Sequence, residues 1–245
     1  MKRQQVRKGI LIFSFLLLPV TMFYLSPMLI MQGAKQGKLT PALVFIFLLF
    51  GGTFFLGRVF CSWVCPAGAL QEMLFAVNNK PASRGKATCI KYFIWGLWVV
   101  ALLLTIWKAG GFSSFDLFFR TSFGVSLTDP SGYSVYYGAM VFIFALSLWL
   151  GRRSFCQYVC ILTPFMVISR GCSQKLKAPR LHLEAETEKC INCRICNNNC
   201  PMSLDVNTMV QEGNMENHDC ILCGACVDSC PKKVISMKMS SDQDS

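Results

Sequence analysis

Residues 190–201 read CINCRICNNNCP, and residues 220–231 read CILCGACVDSCP. Both carry the spacing C-x2-C-x2-C-x3-C-P: Cys190, Cys193, Cys196 and Cys200 before Pro201, then Cys220, Cys223, Cys226 and Cys230 before Pro231. Three closely spaced thiolates suit one face of a [4Fe–4S] cube, and the fourth cysteine of each run ligates the other cube. This gives a cluster A on Cys190, Cys193, Cys196 and Cys230, and a cluster B on Cys220, Cys223, Cys226 and Cys200. Zinc also accepts short Cys spacings. It has no use for the repeated third cysteine and trailing proline, so the iron–sulfur reading is kept.

The chain holds 14 cysteines in 245 residues. A secreted disulfide scaffold would be short, whereas this chain is long, very apolar, and has eight cysteines at cluster spacing. Thiolates on iron place residues 190–231 in a reducing compartment. The net charge of +11 conceals a division. Residues 1–179 hold 18 Lys and Arg against only Glu72, Asp116 and Asp129, while residues 180–245 hold 6 bases against 10 acids. An apolar body with basic rims suits anionic lipid headgroups. The bases flank apolar runs rather than forming one stripe, which sets nucleic acid aside as a partner.

Four apolar runs are expected to cross the cytoplasmic membrane of a prokaryote. The first is residues 10–31, longer than a signal peptide and kinked at Pro19. The second runs from Pro41, behind an N-cap at Thr40, to about Phe60; its Gly51-Gly52 pair would admit a close neighbour. Basic residues 61–90 form a loop before a third span at about 91–108. FSSFDLFFRTSF, within residues 109–132, reads as a short interfacial helix. The fourth span is about 134–151, and a basic linker follows.

With the N-terminus inside, Lys2, Arg3, Arg7, Lys8, Arg58, Lys80, Arg84, Lys86, Lys91, Arg152, Arg153, Arg170, Lys175 and Lys177 flank the inner side, against Lys35, Lys38, Lys108 and Arg120 outside. That bias puts both termini in the cytosol. The fold class is an α-helical membrane protein of four transmembrane helices in two tandem hairpins, residues 1–178. A small C-terminal α+β unit of the bacterial 2[4Fe–4S] ferredoxin type follows at 179–239, with VISMKM as a strand, then a loose tail at 240–245.

The second and fourth spans end alike, in LGRVFCSWVCP (56–66) and LGRRSFCQYVC (150–160). Tandem hairpins would bring Cys61, Cys65, Cys156 and Cys160 to one depth beneath the ferredoxin unit. On a helix, C-x3-C sets both sulfurs on one face. Three readings stand: a third iron–sulfur cluster, a redox-active dithiol or docking surface, and buried packing thiols. Cys160 is followed by Ile161 and not by proline, so the two copies are unequal. Cys89 and Cys172 read as free thiols.

These features together resemble the NapH-type membrane polyferredoxins and their NosR-type and CcoG-type relatives, over roughly residues 5–236. GRVFCSWVCPAGALQ at the end of a span carries the specificity. The resemblance implies an electron-transfer subunit linking the quinol pool to partner iron–sulfur or cytochrome subunits. The alternatives are a stand-alone metal-ion reductase or maturation factor, as in CcoG-type proteins, and a membrane redox sensor. The histidines are His182 and His218, both in the ferredoxin part, so no span supplies axial histidines to a b-type haem. A quinol site then falls at an interface, with Glu72 as the inner candidate and Asp116 with Arg120 as the outer pair. The plainer reading is that all three sit among headgroups. Finally, Lys189, Arg194, Lys232 and Lys233 adjoin cluster A ligands, whereas Asp219 and Asp228 adjoin those of B. By sequence adjacency, A should have the higher potential.

Overall fold

The structure is a computed structural model describing residues 2–21, 23–83, 85–116, 119 and 130–240. The first apolar run does not form one spanning helix. Helix α1 (Lys2–Leu16) begins in the basic stretch; α2 (Leu18–Thr21), a 3-10 turn (Phe23–Leu25) and α3 (Pro27–Lys35) follow. Pro19 and Pro27 lack the N–H that helix continuation requires, which accounts for the breaks. A two-residue strand β1 (Lys38–Leu39) leads to α4 (Pro41–Leu56), with Thr40 at the N-cap and Pro41 opening the helix, as the sequence predicts. No atom comes within 4 Å of a Cβ built on Gly51 or Gly52, so no neighbour within the chain uses that pair for a close approach.

The expected loop at 61–90 is largely helical, with α5 (Val59–Trp63), α6 (Pro66–Met73) and two 3-10 turns. Helix α7 (Ile90–Lys108) matches the third run. Beyond it, β2 (Ser114–Phe115) pairs in parallel with β1, Lys38 opposite Ser114, so this part of the expected interfacial helix is extended. Residues 117, 118 and 120–123 of that segment lie outside the described residues, as do Arg84, Arg120 and the tail at 241–245. Helix α8 (Pro130–Leu150) matches the fourth run.

Two helical stretches, Ala87–Lys108 and Tyr133–Leu150, are long and apolar enough to cross a membrane; Pro41–Leu56 is apolar but shorter. Only 11% of each long stretch is buried within the protein, unlike the core helix of a soluble fold. The outward faces carry Phe93, Leu97, Val100, Leu103, Val141, Phe142 and Trp149.

Next come α9 (Ser154–Tyr158) and α10 (Leu162–Lys175). The expected linker is therefore mostly helix, and α10 packs on α4. The ferredoxin unit is closed by an antiparallel pair, β3 (Arg180–Ala185) and β4 (Ile235–Ser240), with Arg180 opposite Ser240. Between them lie α11 (Ile195–Asn198), α12 (Val206–Gln211) and α13 (Ala225–Ser229). Asp205 caps α12 by accepting from the Thr208 N–H. One apolar core joins this unit to the helical body: Cys61 and Met166 share it with Cys200, Cys220, Cys223, Cys226, Leu222 and Val234.

Candidate iron–sulfur site

The ferredoxin unit repeats itself thirty residues apart, Cys190 answering to Cys220. The backbone follows the same rule. Asn192 and Leu222, Arg194 and Gly224, and Ser203 and Lys233 all have positive φ, between 51° and 71°. Six such turns in matched places curl two loops around two hollows, at a steric cost that only Gly224 escapes. The N–H of Leu204 donates to Cys200 Sγ at 3.4 Å, and that of Val234 to Cys230 Sγ at 3.4 Å.

The cysteines line the two hollows in two sets of four. One cavity is lined by Cys190, Cys193, Cys196 and Cys230. A second is lined by Cys200, Cys220, Cys223 and Cys226. Their surroundings differ. All four cysteines of the second are buried, while Cys193 of the first is exposed and its companions half-buried. Burial pushes the thiols of Cys220, Cys223 and Cys226 up, Cys223 to about 12, so binding iron there must displace protons.

The other four cysteines also converge. Cys61 lies in α5 and Cys156 in α9; Cys65 and Cys160 fall where those short helices break, so neither C-x3-C pair shares one helix face. Both breaks close identically, with the N–H of Cys65 on Phe60 O at 2.9 Å and that of Cys160 on Phe155 O at 3.0 Å. Burial raises the Cys65 thiol well above its ordinary value, and Cys61, Cys156 and Cys160 add to the rise by their proximity. Among the described residues no three such side chains converge on a single-ion point, whereas a four-iron cube needs wider spacing.

The repeated L-G-R sequence explains how the two copies lock together. Gly57 (φ 61°) and Gly151 (φ 93°) end α4 and α8 in the left-handed region. A Cβ on Gly57 would lie 2.7 Å from Leu222 Cδ1, inside the cluster B loop. The arginines then cross over. Arg153 Nη1 donates to Cys61 O at 2.7 Å; Arg58 Nη2 donates to Thr163 Oγ1 at 3.3 Å, and Thr163 donates to Cys156 O at 3.3 Å. Ten residues beyond each leading cysteine the symmetry holds in position but not in chemistry. Gln71 Nε2 donates to Cys156 Sγ at 3.1 Å, while Met166 Sδ lies 3.3 Å from Cys61 Sγ.

Buried positive charge gathers around these thiols. Glu72 holds Arg7 (2.8 Å) and Arg153; Asp219 holds Lys91 (2.6 Å) and Arg58 (3.7 Å); Glu216 holds Arg170 (2.9 Å) and Arg180 (3.5 Å). Three acids thus meet six cations. The Nε atoms of Arg58, Arg153 and Arg170 are buried without an acceptor. Such an excess of cation suits an anionic occupant, and thiolate-ligated iron–sulfur clusters are anionic. The residues present fit the group.

These pairs also undo the charge argument from sequence adjacency. Asp219 is engaged by Lys91 and Arg58, and Asp228 by Arg3 (2.8 Å) and Gln4 (2.6 Å). Neither acid faces cluster B unopposed.

The proposed quinol residues lie apart. Glu72 sits in a buried triad, where burial would raise its pKa but Arg153 and Arg7 hold it below the ordinary carboxylate range. Asp116 pairs with Lys38 at 3.1 Å, beside β1 and β2. Arg120 lies outside the described residues. Cys89 and Cys172 are exposed and free.

A 4Fe-4S binding domain family matches residues 39–83 and again 133–179, so each C-x3-C motif falls in one copy. A 4Fe-4S dicluster domain family matches residues 189–235. The chain carries 4Fe–4S ferredoxin-type domains. It is 28% identical to an uncharacterised protein of Methanocaldococcus jannaschii over 72% of its own length and 71% of the relative's. It is 27% identical to the methylamine utilization ferredoxin-type protein MauN of Methylobacillus flagellatus, over 78% and 68%. The putative electron transport protein YccM of Escherichia coli is also 27% identical, over 66% of this chain and 46% of YccM. No solved structure is significantly similar. Two of these relatives carry ferredoxin-type or electron-transport names, in line with an iron–sulfur electron-transfer protein.

The buried arginines, Gln71 and Met166 were missed by sequence reasoning. The repeated L-G-R triplet was the signal available for the arginines; nothing marked Gln71 or Met166.

Proposed function

We propose that this protein is a membrane-anchored electron-transfer subunit, taking electrons from the quinol pool and exchanging them with partner redox subunits on the inner side. The observation that supports electron transfer is the single apolar core running from Cys61 and Met166 to the four buried cysteines of the second cavity; the two long, outward-facing apolar helices support the anchor. Redox groups held along such a core would be close together and shielded from water.

In this reading Cys190, Cys193, Cys196 and Cys230 hold cluster A, and Cys220, Cys223, Cys226 and Cys200 hold cluster B. Cys61, Cys65, Cys156 and Cys160 hold a third. The clusters supply one-electron transfer when bound. The chain's own work is to hold and insulate them. Arg58 and Arg153 fix the two membrane-proximal motifs against each other. The N–H groups of Leu204 and Val234 steady the crossing cysteines. Arg3, Gln4 and Arg152 fasten the ferredoxin unit to the helical body, Arg152 by donating to Asn198 O at 2.7 Å. A cleft between α1, α6 and α13 is lined by Gln4, Arg7, Leu11, Glu72, Asn79 and Ala225, among others. It offers a quinol headgroup the side-chain amides of Gln4 and Asn79 beside the Arg7–Glu72 pair, and supports the inner location over Asp116.

Iron counting after anaerobic purification tests the cofactor reading: about twelve irons per chain supports three clusters, and about eight removes the third. Bleaching of the cluster absorbance by a menaquinol analogue in reconstituted membranes tests the quinol link.

A further inference from the structure

The two cluster cavities face different worlds. The second is walled by residues that pack against the helical body: Leu222 lies against Gly57, and the loop carbonyls of Cys223 and Gly224 accept from Gln4 and Arg3. The first is lined only by residues 190–235. There Cys193 is exposed, flanked by Ile191 at 57% and Ile195 at 38% exposure. Pro231 is exposed beside them. Large aliphatic side chains at this exposure, next to a redox ligand and away from any lipid-facing helix, form an uncovered apolar centre.

Its rim is basic. Lys189, Arg194, Lys232 and Lys233 are all exposed, each within three residues of a cysteine of the first cavity. Lys189 is engaged by Glu186, and the exposed Glu188 lies on the same edge. Arg194, Lys232 and Lys233 form no ion pair among the described residues. Positive φ at Arg194 (55°) and Lys233 (52°) is shared with the matching turns of the other loop. The cations those turns carry here have no such counterpart, since Gly224 and Ser203 stand at the equivalent places.

We propose that this face docks an acidic redox protein, an apolar contact over Ile191, Ile195 and Pro231 being ringed by carboxylates of the partner that meet Arg194, Lys232 and Lys233. The proposal rests on the ligand assignment above. The exchange is one electron: cluster A is oxidised or reduced by one, and the carrier changes by one in the opposite sense, with no bond made or broken. Apolar contact at the centre supplies affinity, and the charged rim supplies orientation and association rate.

The test uses the full chain in lipid nanodiscs, chemically reduced, mixed in stopped flow with an acidic flavodoxin or a basic c-type cytochrome. The expected result is a transfer rate to flavodoxin that falls at least tenfold between 20 mM and 500 mM salt. The Lys232→Glu/Lys233→Glu variant should lose a similar factor at low salt and gain rate toward the cytochrome. Lys232→Gln/Lys233→Gln should fall between, with cluster EPR spectra retained in both. Rates to flavodoxin that ignore salt and both variants would overturn the proposal. So would equal losses toward both carriers, which would mark an effect on the cluster itself. Absence of two [4Fe–4S] EPR signals in the unmodified protein would instead overturn the ligand assignment.

Discussion

Gln71 donates its side-chain amide to Cys156 Sγ at 3.1 Å, across the boundary between the two C-x3-C motifs. Its counterpart, Met166, meets Cys61 with a thioether. The quartet of thiols is therefore near-symmetric in position and unequal in electrostatics.

A hydrogen bond to a ligating sulfur stabilises the more reduced state. Gln71→Leu should lower the midpoint potential of a cluster at this quartet by about 40 mV, equivalent to about 1 kcal/mol for one electron. Met166→Gln would add a donor on the other side and raise it. EPR-monitored potentiometry reads both; a third signal unmoved by either change would refute the assigned role.

Gly57 holds φ 61° with Leu222 against it. Gly57→Ala should cost roughly 1–3 kcal/mol from the backbone alone. Because the clash falls between Cys220 and Cys223, the variant should also broaden the cluster B EPR signal while leaving that of A sharp. Thermal melts together with EPR separate the two effects.

Glu72 joins α1, α6 and the turn at Arg153. Glu72→Gln leaves two buried guanidiniums without their carboxylate and should destabilise by about 3–5 kcal/mol. The pH dependence follows from its depressed folded pKa. The stabilisation is complete above the unfolded value of about 4.3 and is lost as pH falls through the lower folded value. Melting temperature against pH in detergent should show this acid-side loss in the unmodified protein and its reduction in Glu72→Gln.

The charges near cluster A are exposed, while those near B are paired, Asp219 with the buried Lys91 and Arg58 and Asp228 with the half-exposed Arg3. Salt screens the former strongly and the latter little. Raising ionic strength from 20 mM to 1 M should shift the cluster A potential by tens of millivolts, by analogy with screened surface pairs worth under about 1 kcal/mol. Cluster B should hold steady. Equal shifts in both would mean that B is as open to solvent as A.

Much of the site was legible in the sequence because cysteine spacing is a local code. A C-x2-C-x2-C loop can close in few ways, and the crossing of Cys200 and Cys230 follows from the duplicated run. The L-G-R repeat likewise marked where α4 and α8 end. What could not be read was long-range. Arg7 reaching Glu72, or Gln71 reaching Cys156, depends on how helices pack, and no spacing encodes that. The first apolar run misled because composition alone does not register two prolines as helix breaks. The acids beside cluster B misled because adjacency in the chain says nothing about the partners that Asp219 and Asp228 find elsewhere.

The Arg3–Asp228 clasp joins residues 225 positions apart. On a ribosome making the chain from its N-terminus, Arg3 waits through most of translation before its carboxylate exists. The loop carrying Cys220, Cys223 and Cys226 is therefore made before the clasp over it can close, and the fastening to α1 cannot precede the cysteines it covers.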